Sequence, residues 1–117
     1  MGSPTVHVEI PVTDLNKAKT FYSKLFGWKV DLTGDPNYAL FDTGTLPNGG
    51  FTKALKTTTD GYLFHIMVDD IDKKLREIEK AGGKTVTKKT EIPEFGWYGT
   101  FEDIFGNILG IFTPKMK

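Results

Sequence analysis

Two histidines occur in this chain, and each sits in a short alternating run. His7 lies in VHVEIPVTDL (residues 6–15), with Glu9 two positions on, and His65 lies in YLFHIMVDDI (62–71). Imidazole and carboxylate groups on strands serve two kinds of chemistry. They ligate a divalent ion, or they move protons as an acid–base couple. Strand side chains alternate, so His7, Glu9 and Pro11 share one face, and Leu63, His65 and Met67 share the matching face of the second run. His7, Glu9 and His65 would suffice for a metal if all three converged at bonding distance.

Other chemistries find little support. There is no Cys, which removes disulfides, thiolate catalysis and Cys-type zinc sites and fits a reducing cytoplasm. No Ser-His-Asp spacing supports a nucleophile. LPNGGF (46–51) reads as a tight turn and lacks the following helix and the Lys–Ser/Thr pair of a phosphate-binding loop. Fifteen basic residues balance fifteen acidic ones, so nothing electrostatic favours nucleic acid or an anionic membrane. Arg76 is the one arginine among those basic residues, a poor endowment for gripping phosphates with planar forks. No apolar run approaches the roughly 20 residues of a membrane helix. The start MGSPTVHVEI lacks the basic and apolar segments of a signal peptide, so a cytoplasmic location is expected.

The elements that must position the histidines repeat. IPVTDLNKAKTFYSKLFGWKV (10–30) aligns without a gap on IMVDDIDKKLREIEKAGGKTV (66–86), 56 residues on. Each copy opens with a period-2 apolar run, read as a half-buried strand. Asp14 and Asp70 then stand as helix N-caps. Leu15, Ala18, Tyr22, Leu25 and Phe26 form one apolar stripe, and Ile71, Leu75, Ile78 and Gly82 form the other. Gly27 and Gly83 mark left-handed exits from the helices. New strands begin near Trp28–Leu32 and Lys84–Lys88. Hairpin material follows each: GDPNYALFDTG with LPNGGFTKAL, then GWYGTFED with NILGIFT across DIFGN.

Each half is therefore β-α-β-β-β, with module one spanning about 5–57 and module two about 60–115, joined by the Thr-rich KTTTDG (56–61). The expected class is α+β. Two tandem βαβββ modules form an open barrel-like sheet, with helices outside and a central cavity. With the 56-residue offset Glu9 and His65 occupy equivalent places on strands expected to be neighbours. A Glu9–His65 pair would satisfy two buried polar groups, or act as an acid–base couple on a ligand.

Four stretches carry a resemblance: HVEIPVTDLNKAKTFYSKLFGW, VDDIDKKLREIEKAGGKTV, KTEIPEFGWYGTFEDIFGNILGIF and the central FDTG. In this order, over nearly the whole chain, they resemble the vicinal oxygen chelate superfamily. That group includes glyoxalase I, extradiol dioxygenases and bleomycin-resistance proteins. The resemblance implies up to four His or Glu ligands on strands facing a trough, holding a divalent ion as a Lewis acid. His7 matches the first ligand position. The second-half counterpart is Leu63. The last ligand, seven residues beyond Asp103, falls on Gly110. The remaining strand, from Thr43 to Thr59, contains no Asp, Glu or His.

No metal or other cofactor is therefore expected, and a divalent ion is the weaker alternative. The resemblance also implies a homodimer. Leu63, Met67 and Gly110 in place of ligands make the trough more apolar, and the loop KKTEIPEFGWYG (88–99) would form its rim with Trp97. The candidate contacts for a small organic molecule are His7, Glu9, Phe51, Leu63, His65, Met67, Trp97 and Gly110, with His65 and Glu9 the catalytic candidates. Phe64, Tyr98, Phe101 and Phe112 lie in predicted strands or beside the trough. Three functions compete: a small-molecule-binding protein, a metal-dependent lyase, isomerase or dioxygenase, and a structural dimer with a filled cavity.

Overall fold

The computed structural model describes residues 2, 7–45, 47–57 and 63–115. The chain divides into two compact units, Met1–Thr57 and Thr58–Lys117. Residues 58–61 of the predicted connection, and residues 5–6 at the start of module one, lie outside the described residues. No described helix is long and apolar enough to cross a membrane.

Module one runs β1 (His7–Pro11), α1 (Leu15–Phe26), β2 (Lys29–Leu32), β3 (Tyr38–Asp42) and β4 (Asn48–Thr52). Module two runs β5 (His65–Met67), α2 (Ile71–Lys80), β6 (Lys84–Ile92), β7 (Gly96–Glu102) and β8 (Ile108–Pro114). Each module forms a four-stranded mixed sheet. The orders are β1-β4-β3-β2 and β5-β8-β7-β6, with β1–β4 and β5–β8 parallel and the other pairs antiparallel.

The repeat is structural down to its caps. The Asp14 carboxylate accepts the Lys17 N–H at 3.0 Å, and Asp70 accepts the Lys73 N–H at 3.0 Å. Both satisfy donors that a helix start leaves without a partner. Helix α1 leaves through Gly27 at φ +69°. In module two the left-handed residue is Gly82, at φ +103°, and not Gly83 as the repeat implies. Gly83 has another reason to be glycine: a Cβ there would lie 2.6 Å from Ile78 Cγ2 and 2.8 Å from the Glu102 carbonyl oxygen.

Each helix covers one face of its own sheet. Under α1 the core is aromatic. Tyr22 stacks on Trp28 at 5.1 Å, Trp28 stacks on Phe41 at 4.5 Å, and Phe51 lies 5.0 Å from Tyr22. Under α2 it is mostly aliphatic, with Ile71, Leu75, Ile78, Leu109 and Ile111 around Phe101. The DIFGN turn into β8 is closed by a buried side chain. The Asp103 carboxylate accepts the N–H groups of Phe105 and Asn107, each at 2.9 Å, and the Asn107 amide at 3.1 Å.

Two loop expectations are corrected. The glycines of LPNGGF belong to β4 and not to a turn: Gly49 and Gly50 lie within the parallel ladder to β1. The stretch KKTEIPEFGWYG is mostly strand, with only Pro93–Phe95 outside β6 and β7. Thr90, Ile92, Trp97 and Tyr98 suit a pleated surface, and the turn at Pro93–Phe95 joins the two strands, with Glu94 at φ +75°.

Phe51 is fully buried, so Phe51→Ala should remove about 3–5 kcal/mol of stability by leaving a cavity among three rings. Equilibrium urea unfolding measures this. A loss below about 1 kcal/mol would mean that the aromatic core under α1 is not packed as described.

Candidate functional site

The face of module one's sheet opposite α1 carries its polar chemistry. Along β1, Ile10 is buried, whereas His7 and Glu9 are exposed on the opposite face. The parallel register sets His7 beside Asn48 and Glu9 beside Gly50. Across the next ladder Leu40 is set beside Gly50, and Tyr38 beside Thr52. Tyr38 leans over Gly50, where a Cβ would come within 2.1 Å of the phenol oxygen. The absence of a side chain at Gly50 is what lets the phenol lie there.

From that position the Tyr38 oxygen is 2.8 Å from His7 Nε2, and the Glu9 carboxylate is near enough to act on the phenol's proton. His7 Nε2 and Glu9 Oε2 are 3.7 Å apart. A phenol has one proton. Given to Glu9, it leaves the oxygen to accept a proton from His7 Nε2. The chain of donors then runs from His7 Nε2–H to Tyr38 O–H to Glu9, with the His7 Nδ1 lone pair left over. Partial burial, then the hydrogen bond to Glu9 and its negative charge, hold the Tyr38 phenol above its ordinary value of 10.0.

A groove of about 500 Å³ opens beside this group, lined by His7, Asn48, Leu40, Asp31, Asp42 and Lys29 among others. Leu40 is exposed and gives it an apolar patch. The Asn48 carbonyl is held by the Thr43 N–H at 2.8 Å, which fixes the amide beside His7.

Module two repeats the register with different residues. His65 stands beside Gly110, as Glu9 stands beside Gly50. The His65 ring covers Gly110, where a Cβ would lie 2.5 Å from Cδ2 and 2.7 Å from Nε2. Tyr98 meets the ring edge-on, with centroids 6.5 Å apart. Leu63 and Met67 are exposed, Met67 by 72%.

The candidate contacts thus fall into separate sets. His7 and Glu9 meet in module one, together with Tyr38 and Asn48, which the sequence did not single out. His65 and Gly110 meet in module two. Phe51 is not a groove residue: its side chain faces α1 and is sealed in the core. Trp97 is likewise misplaced by the rim expectation. Its β7 neighbour of the same parity, Gly99, faces Ile71 and Leu75 of α2, so Trp97 lies on the helix side of the sheet, across from Tyr98 and Gly110.

With this geometry established, likeness to known proteins becomes specific. A family model described as bleomycin resistance protein-like N-terminal matches residues 5–44. A glyoxylase-like domain-containing protein of Didymella fabae is 31% identical over 119 residues, covering 94% of this chain and 93% of that protein. The chain belongs to the glyoxalase/bleomycin-resistance superfamily. Two solved structures share its α+β fold. A glyoxalase/bleomycin resistance protein/dioxygenase family enzyme from Burkholderia phytofirmans has a TM-score of 0.78 at 21% identity, covering 93% of this chain and 97% of that one. TnmS3, an antibiotic binding protein from a Streptomyces species, has a TM-score of 0.72 at 23% identity, covering 98% and 99%.

Membership raises the question of the divalent ion, and the residues present do not fit one. His7 Nε2 and Glu9 are engaged with Tyr38. Leu63 offers no donor atom, and the His65 ring fills the space where a side chain on Gly110 would stand. Among the described residues no three His, Asp or Glu side chains are grouped as a metal requires.

The raised phenol gives a pH prediction. Tyr38 keeps its proton in the fold at pH values where the unfolded chain has lost it. Stability from this group is therefore complete below pH 10.0 and falls as pH rises through the higher folded value. Tyr38→Phe should flatten that alkaline loss relative to the parent chain, and Glu9→Gln should bring the phenol down. Phenolate absorbance and urea unfolding at pH 9 to 11.5 measure both. A Tyr38 titration unmoved by Glu9→Gln would contradict the hydrogen-bonded chain.

Proposed function

We propose that this chain binds a small organic molecule on the face of module one's sheet opposite α1. The acceptors Glu9 and His7 Nδ1, with the Asn48 amide beside them, hold it by hydrogen bonds, with no divalent ion involved. The observation that carries the reading is the Tyr38 phenol laid over Gly50, tying His7 to Glu9 at the edge of a groove with an exposed leucine. A concavity of this size with a few convergent polar groups and an apolar patch suits a small ligand. TnmS3, of the same fold, is itself an antibiotic binding protein.

The polar group also sets what the ligand must offer. Glu9 is an acceptor, and so is His7 Nδ1 when Nε2 carries the proton. The fitting ligand therefore presents a hydroxyl or N–H beside an apolar body that rests on Leu40. A second reading rests on the same geometry: His7, joined to a carboxylate through a phenol, can take a proton from a bound ligand and return it. A metal-dependent lyase, isomerase or dioxygenase draws no support from this ligand set.

The test uses the full chain and a panel of phenols, lactams and hydroxylated aryl ketones. Saturable NMR shifts should appear at His7, Tyr38 and Leu40 for at least one compound, and Tyr38→Phe should weaken that binding about tenfold. Calorimetric titration with Zn²⁺, Ni²⁺, Mn²⁺ and Fe²⁺ should show no equimolar site. An equimolar metal site abolished by His7→Ala would overturn the metal-free reading. Silence across the panel would instead favour a purely structural protein.

A further inference from the structure

Trp97 stands in a place that the proposed site does not use. It lies on the α2 side of module two's sheet and is half-buried, in a groove of about 770 Å³. Ile71, Met67 and Pro114 give this groove an apolar lining, and Arg76, Lys89 and Lys115 bring three cations to it. The Lys89 ammonium lies 5.2 Å from the indole centroid and that of Lys115 lies 5.6 Å away. Both are within the range at which a cation is drawn to an aromatic face.

The charges are not equally committed. Lys115 is paired with Glu91. Among the described residues, Lys89 and Arg76 form no ion pair. On the acidic side, Asp70 is spent on capping α2. Asp69 and Asp72 also line the groove at the start of that helix, Asp72 one turn before Arg76. The groove therefore offers a half-buried indole with the Lys89 ammonium over it, apolar walls, and Arg76 on the α2 side, neither cation being in an ion pair among the described residues. An arginine fork recognises a carboxylate by two parallel N–H donors, and an ammonium adds a point charge.

We propose that this groove is a second ligand site, for a planar aromatic carboxylate. The aromatic ring packs beside the Trp97 indole, and the carboxylate is taken up by Lys89 and Arg76. The acidic groups at the start of α2 disfavour any orientation that turns the carboxylate toward them. This site is built from different elements from the one on module one, and it selects a carboxylate rather than a hydroxyl or N–H.

The two tryptophans provide an internal control, because Trp28 is buried in the other module. The full chain, labelled with ¹⁵N, is titrated with 2-naphthoate and separately with 2-naphthylmethylamine. The Trp97 indole N–H should shift saturably with the carboxylate, the Trp28 indole N–H should stay still, and the amine should leave both unmoved. The double variant Arg76→Gln, Lys89→Gln should bind 2-naphthoate at least about tenfold more weakly. No saturable shift at Trp97 would overturn the proposal. So would an equal response to the amine, an unchanged affinity in a folded double variant, or shifts confined to His7 and Tyr38. If the double variant fails to fold, the carboxylate–amine comparison in the parent chain decides.

Discussion

Gly50 has no side chain, and the Tyr38 phenol lies in the space that one would fill. The chemistry of module one follows from this close approach. A phenol in that position takes up His7 Nε2 and lies under the influence of the Glu9 carboxylate, so it sets which lone pairs of the two groups stay open. The neighbouring Gly49 is constrained from the other side of the sheet, where a Cβ would come 1.9 Å from the Val8 carbonyl oxygen. Two glycines in succession thus let β4 approach β1 on one face and accept a ring on the other.

The same frame carries a different outcome in module two. Gly110 holds the register place of Gly50, His65 that of Glu9, and Tyr98 that of Tyr38. There the imidazole itself lies over the glycine, and the tyrosine meets it only edge-on. The module repeat therefore preserves strand register and helix N-caps, while a swap between carboxylate and imidazole at one position redirects which ring covers the glycine. Both arrangements fill with a ring the space that a side chain on the last strand would need. On these faces, among the described residues, no three His, Asp or Glu side chains are grouped.

How much of this could be read beforehand depended on the range of the signal. The helices, their Asp caps and the face of His7 and Glu9 were legible, because helical stripes, cap spacing and strand alternation are local patterns. Phe51 and Trp97 were misassigned because the face of a strand residue depends on where the strand begins. NGGF reads as a turn until its glycines are known to sit in a ladder, and GWYG reads as a loop until β6 is known to run to Ile92. Tyr38 and Asn48 escaped notice because β1 pairs in parallel with β4 across an intervening helix and hairpin, and such register leaves no local mark.

The protonation state of His7 tests this account most directly. Long-range ¹H–¹⁵N correlation of the imidazole at pH 8, with Tyr38→Phe for comparison, reports which ring nitrogen carries the proton. A neutral His7 protonated at Nε2, unaffected by equimolar Zn²⁺ and losing that preference in the variant, is the expected result. A His7 whose Nε2 is unprotonated and shifts on adding equimolar Zn²⁺ would contradict it.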